Sequence, residues 1–253
     1  MEHLKIKTDY LLRTHWKKAV FSACIFCFYS GSLISSIAAS GMTLFEFILY
    51  TFNNQYFLMF CFLPIYFVFL YSTFYKDNIH ILVRHKKFVN FYLSEIIPVS
   101  IISLLYVLFH ILCAMIIGIM WHLQITSNFS SVCQQEPVLE LFTVNFSNSF
   151  ISIVFSLLYT FIGLIFFAVI INTLFYFFGK KIVIFSTMIS YILSIFAIQK
   201  NADENFPYVF FNNYFILPSA LIKGDIEVFL IVVLISFILV VLLLKLRWRY
   251  RDL

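Results

Sequence analysis

Cys24-Ile-Phe-Cys27 is the first stretch whose residue types could carry chemistry. The C-x-x-C spacing suits a redox dithiol or half of a thiolate metal site, and either role needs a polar setting or a second ligand pair. Here both thiols fall inside an apolar run, so packing thiols are the reading that their surroundings favour. Of the five cysteines, Cys24, Cys27, Cys61 and Cys113 lie in apolar runs and Cys133 in a loop, a distribution that implies no disulfide framework. His110 also sits in an apolar run. An ionisable group at membrane depth is a functional candidate. No apolar run offers it a charged partner, which favours a neutral, packed imidazole. No second membrane-buried histidine exists to hold a haem. The chain contains no G-x-x-x-x-G-K-[ST] phosphate loop, no H-E-x-x-H and no G-x-S-x-G. Its apolar runs hold no paired carboxylates, which argues against proton- or sodium-coupled transport. We expect no catalytic set, no metal site and no cofactor in this chain.

The remaining chemistry-bearing residues are basic. Residues 77–98, DNIHILVRHKKFVNFYLSEIIP, carry Arg84, His85, Lys86 and Lys87, followed by Phe88. Ile81, Leu82, Phe88, Tyr92 and Leu93 keep helix-like apolar spacing through them. Two readings compete. The lysines meet anionic lipid headgroups from an interfacial helix, or the segment docks a cytoplasmic partner.

The elements that position this segment follow from composition. The chain is 62% hydrophobic and 11% charged, against about 25% charged residues in soluble domains. Its solvent must be lipid. The net charge of +5 sits in clusters between apolar runs, which fits membrane topology rather than a nucleic-acid face. The apolar runs predict an all-α membrane protein with six spans over 19–39, 56–75, 98–121, 149–178, 182–198 and 226–244. The first run is of span length and carries no matched cleavage site, so it reads as an anchor that stays. Pro64 is expected to kink span two. Fifteen of the seventeen basic residues fall on alternate loops, while the other loops hold Lys200 and Lys223 beside seven acidic residues, Glu46 among them. The positive-inside rule then places both termini and the 77–97 segment in the cytoplasm.

Three further segments have physical content. Residues 2–18 form a basic amphipathic stretch in which Leu4, Leu11 and Leu12 share a face with Trp16 at its margin, as expected of an interfacial helix. Residues 30–41, rich in small residues, suit a helix-packing seam or a polar exit from the membrane. Residues 199–224 are too aromatic for a free loop, and Pro207 and Pro218 bracket Phe210, Phe211 and Tyr214. A re-entrant outer hairpin fits them, provided that protein buries its irregular backbone. Asn128-Phe-Ser and Asn145-Phe-Ser match glycosylation acceptors, but the Phe, Ile, Lys and Asn bias suggests a bacterial chain, so they carry no weight.

With its elbow-like start, six spans, basic loop between spans two and three and ending KLRWRYRDL, the layout resembles the permease subunit of bacterial type-2 ABC exporters of the peptide, bacteriocin-export or immunity type. The stretch ILVRHKKFVNFYLSEI looks like that family's loop, and Arg249-Tyr-Arg251-Asp252 is similar to its basic, aspartate-containing ends. The resemblance covers nearly the whole chain as one transmembrane permease domain. It implies residues 2–18 as the elbow helix, residues 199–224 as the hairpin, and Arg84 to Phe88 as the docking loop for a cytoplasmic ABC ATPase in two copies. ATP and Mg would be held by that partner. A second permease chain, identical or related, would complete a dimer in the bacterial cytoplasmic membrane. The aromatic runs suggest an apolar or amphipathic cargo, a peptide in particular. The alternative from another class is a non-transporting immunity or sensor protein that binds a toxin at the outer face.

Overall fold

The computed structural model describes residues 2–38, 41–73, 88–131, 136–199, 210–223 and 226–249, and every regular element among them is helical. The first helix, α1, runs unbroken from Glu2 to Ala38. The interfacial stretch and the first span read from the sequence are therefore one helix of 37 residues, about 55 Å long. Five described stretches are long and apolar enough to cross a membrane: Trp16–Ile34, Phe91–Met120, Ser149–Phe177, Lys180–Ile198 and Ile226–Leu246.

The second crossing read from the sequence departs most from expectation. Instead of a loop ending near residue 55, the chain enters α2 at Leu44–Phe52. A capping box starts it: Thr43 Oγ1 accepts from Glu46 N–H, and the Glu46 carboxylate accepts from Thr43 N–H at 2.7 Å. Asn53 and Asn54 then break the helix. Asn53 Nδ2 donates to Leu49 O at 2.9 Å, and Asn54 Oδ1 accepts from Phe57 N–H at 3.0 Å. The chain continues as α3, which opens with Gln55–Phe57, turns π-helical over Leu58–Phe62 and runs on as Leu63–Thr73. The stretches Leu44–Phe52 and Gln55–Tyr71 bend by 46° at the Asn pair and pass as one broken span or a re-entrant segment. Pro64, expected to kink this span, stands at the second residue of Leu63–Thr73 just after the π turn, and the 46° bend falls at the Asn pair instead.

The later helices are α4 (Phe88–Met120), α5 (Pro137–Asn145), α6 (Ser149–Phe177), α7 (Lys180–Gln199), α8 (Leu217–Lys223) and α9 (Ile226–Arg249). Helix α4 starts ten residues before the expected position 98 and carries Pro98 inside it. Helix α5 replaces what reads as outer loop, with Pro137 in its first turn, where a missing N–H does no harm. Asn148 caps α6 by accepting from Ile151 N–H at 2.8 Å. Helix α4 is the hub, packing on α1, α2 and α6, and α6 in turn packs on α9.

Irregular backbone at this depth is satisfied from other helices. In the π turn Leu63 N–H bonds Leu58 O, and the donor that would follow is Pro64, which has no N–H. Tyr191 OH on α7 donates to Met59 O instead, at 2.8 Å, and Tyr106 OH on α4 donates to Phe62 O at 2.7 Å. The 3-10 turn Phe211–Tyr214 and its exit lie against the middle of α6. There Tyr159 OH donates to Asn213 O at 2.5 Å and Thr160 Oγ1 to Phe215 O at 2.8 Å. A Cβ at Gly163 would come within 2.2 Å of the Tyr214 carbonyl oxygen, so only glycine lets the two backbones meet.

Among the described residues Lys180, Lys181, Lys245 and Arg249 lie at the end where α4 begins, with Glu95, whereas Glu46, Glu136, Glu140 and Glu227 lie at the other, with Lys223, so basic residues favour the first end. Three outcomes follow. Tyr191→Phe, which uncaps Met59 O, lowers the unfolding free energy in detergent by about 1 kcal/mol. Gly163→Ala lowers it by about 1–3 kcal/mol through overpacking. Gly31→Ala is neutral or mildly stabilising, because a Cβ there meets nothing within 4 Å.

Candidate functional site

Of the five residues expected to dock a partner, Arg84, His85, Lys86 and Lys87 lie outside the described residues, and Phe88 is the first residue of α4. Phe88 is half-buried, with its ring 5.9 Å from Tyr92 and 6.3 Å from Phe91. Phe91 is fully buried and meets Tyr176 of α6 edge-on at 5.3 Å. Val240 and Leu244 of α9 complete this small cluster. The exit of the basic segment is thus fastened to the ends of two other long helices.

Leu4, Leu11 and Leu12 lie on α1, and their side chains are outside the described set. Trp16 is 58% exposed where the first apolar stretch begins, with Lys17 Nζ 5.9 Å from its ring centroid. Of the hairpin residues, Pro207 lies outside the described residues. Phe210 is half-buried, Phe211 opens the 3-10 turn, and Tyr214 and Pro218 are buried. Tyr214 bridges two helices, with ring centroids 5.4 Å from both Phe166 of α6 and Phe229 of α9. In the small-residue stretch Ser30 is buried, while Gly31 faces open space.

One arrangement escapes sequence reasoning, and a second agrees with the packed histidine that the sequence favours. Glu46, expected in a loop, is 0% exposed. Its carboxylate accepts from Ser130 N–H and, at 3.0 Å, from Ser130 Oγ, in addition to Thr43 N–H. Beside it Leu44 N–H bonds Gln124 O at 2.9 Å, so the loop after α4 is knotted onto the start of α2. The T-x-x-E spacing at 43–46 carried the helix-start signal, but the Ser130 contact is non-local and has none.

The second arrangement surrounds His110. Its imidazole is fully buried, and neither ring nitrogen has a hydrogen-bond partner among the described residues. Four phenyl rings enclose it: Phe26 of α1 at 4.7 Å, Phe52 of α2 at 5.5 Å, Phe57 at 5.0 Å and Phe62 at 5.5 Å. The histidine therefore sits where α1, the broken α2–α3 pair and α4 converge. Cys113, one turn further on, is buried, Cys24 is exposed, and both are free thiols, as are Cys27 and Cys61. Among the described residues no three His, Cys, Asp or Glu side chains converge on a point suited to a metal. No family model, curated protein or solved structure matches this chain.

Glu46→Gln replaces an acceptor of the knot with a donor. It is expected to cost about 1–3 kcal/mol and to raise amide hydrogen exchange over residues 121–131. His110→Phe keeps the ring packing and removes two unpartnered nitrogens, so the thermal midpoint in detergent stays level or rises. A fall would show that the imidazole has a polar partner.

Proposed function

We propose that this chain is the membrane-spanning subunit of an ATP-driven exporter that moves an apolar or amphipathic substrate, a peptide above all, out of a bacterial cell. ATP hydrolysis belongs to two copies of a separate cytoplasmic ABC ATPase, and a second permease chain completes the pore. In this reading the bent α2–α3 pair counts as one span. Six spans then put both termini and the basic end in the cytoplasm, as the charge segregation favours. Residues 2–18 continue the first span beyond the cytoplasmic interface as part of the unbroken α1 rather than as a separate elbow, and residues 199–224 form the outer re-entrant hairpin.

The observation that carries the reading is the fastening of Phe88 and Phe91. Arg84–Lys87 directly precede α4 in the sequence, and Phe91, buried in the first turn of α4, packs on α6 and α9. A partner that moves Arg84–Lys87 displaces three long helices together, as a rigid-body lever requires. A bare lipid contact has no use for this coupling. The apolar lining of the helices supports a cargo of matching chemistry.

Arg84→Ala, Lys86→Ala and Lys87→Ala together are expected to lower ATP-dependent export, or resistance to the exported peptide, at least tenfold at unchanged membrane abundance. Phe91→Ala keeps the partner bound but uncouples its ATPase from transport. Export that persists unchanged in the triple variant contradicts docking through this loop.

A further inference from the structure

A groove between α1, α3 and α4 has a volume of about 310 Å3, at the low end of ligand pockets, roughly 300–1,000 Å3. Its walls include Trp16 and Ala19 from α1, Phe69 from α3, and Leu105, Phe109 and Leu112 from α4. Its hydroxyls are already committed inside the protein. Ser22 Oγ donates to Ala19 O at 2.8 Å and Tyr106 OH to Phe62 O at 2.7 Å. That leaves an apolar trough suited to a hydrocarbon chain, with no polar side chain to hold a polar cargo except the Trp16 indole. Along α4 the groove runs from Ile102 to Leu112. That is about 15 Å, half of a ~30 Å hydrocarbon core, or one leaflet.

Trp16 stands where the apolar stretch of α1 begins and is followed directly by Lys17 and Lys18. Lys17 is exposed, and its ammonium lies 5.9 Å from the Trp16 ring. Lys17 beside the Trp16 ring, with Lys18 next in the sequence, complements a phosphate headgroup whose hydrophobic tail enters a one-leaflet apolar trough. We propose that this groove binds one acyl chain of an anionic phospholipid, with Lys17 and Lys18 on its headgroup and Trp16 at the boundary between them. The site is defined by the groove and its mouth, whatever the cargo of the protein.

Trp16 reports on its own occupant. The full chain carrying Trp121→Phe and Trp248→Phe keeps Trp16 as its one fluorophore of this type. It is reconstituted in phosphatidylcholine vesicles containing chain-brominated phosphatidylglycerol or chain-brominated phosphatidylcholine. Brominated phosphatidylglycerol is expected to quench Trp16 at a lower mole fraction, by about fivefold for each lysine. Lys17→Ala with Lys18→Ala removes that preference. Ala19→Phe, which fills the trough and leaves the lysines in place, removes it as well. Equal quenching by the two lipids overturns the proposal in favour of an ordinary lipid annulus. A preference that survives Ala19→Phe overturns it in favour of surface charge alone. Quenching by neither lipid, restored only on dilution of the protein within the bilayer, overturns it in favour of a second copy of the chain.

Discussion

Within lipid, every backbone polar group needs a partner from the protein itself, because no water is present to supply one. A bundle of uninterrupted helices meets this demand trivially. This chain does not, because it contains a π turn before a proline and a 3-10 segment beside the middle of α6. Both survive through hydroxyl groups sent from other helices. Tyr191 and Tyr106 serve the carbonyls of Met59 and Phe62, while Tyr159 and Thr160 serve those of Asn213 and Phe215. Tyr106, Tyr159 and Tyr191 suit this task because each ring packs as a hydrocarbon and ends in one donor.

The same constraint explains where the molecule can change shape. The irregular stretches are points at which a hydroxyl donor holds a carbonyl that a regular helix would satisfy locally. The π turn lies against α4 and the 3-10 segment against α6, and α4 also carries the His110 cage and, at its start, the Phe91 clamp. Helices α1, α2 and α3 present phenyl rings to one polar imidazole, and the 46° bend lies beside two of them. A displacement of α4 along its axis would shear this cage and pull on the Tyr106 cap at once. That linkage gives the proposed coupling between the basic segment and the membrane interior a physical path, since packed aromatic cages are bistable rather than continuously deformable.

Much of this organisation was legible in the residues. Long uncharged runs announced α6, α7 and α9, because nothing but a helix crosses lipid over such lengths. The aromatic stretch near Tyr214 read as buried, and Tyr214 and Pro218 are. What stayed hidden was short or non-local. Helix α2 has nine residues and a glutamate in its first turn, so its composition reads as a loop until the Thr43–Glu46 capping box is weighed. The partnership of Glu46 with Ser130 spans 84 positions, and that of Tyr191 with Met59 spans 132. No periodicity encodes either. Pro64 signalled an irregularity, but the sequence could not say that a π turn served by a distant tyrosine would come just before it.

The central functional claim is that the motor lies on another chain and grips this one at its basic end. The most direct test is purification of the tagged protein from its native membrane in mild detergent, with mass spectrometry of the subunits that accompany it. The account predicts a stoichiometric cytoplasmic subunit bearing a phosphate-binding loop, whose ATPase activity responds to an amphipathic peptide. A protein that purifies alone, under conditions that preserve other such complexes, would contradict it and would leave the basic segment as a lipid-contacting helix.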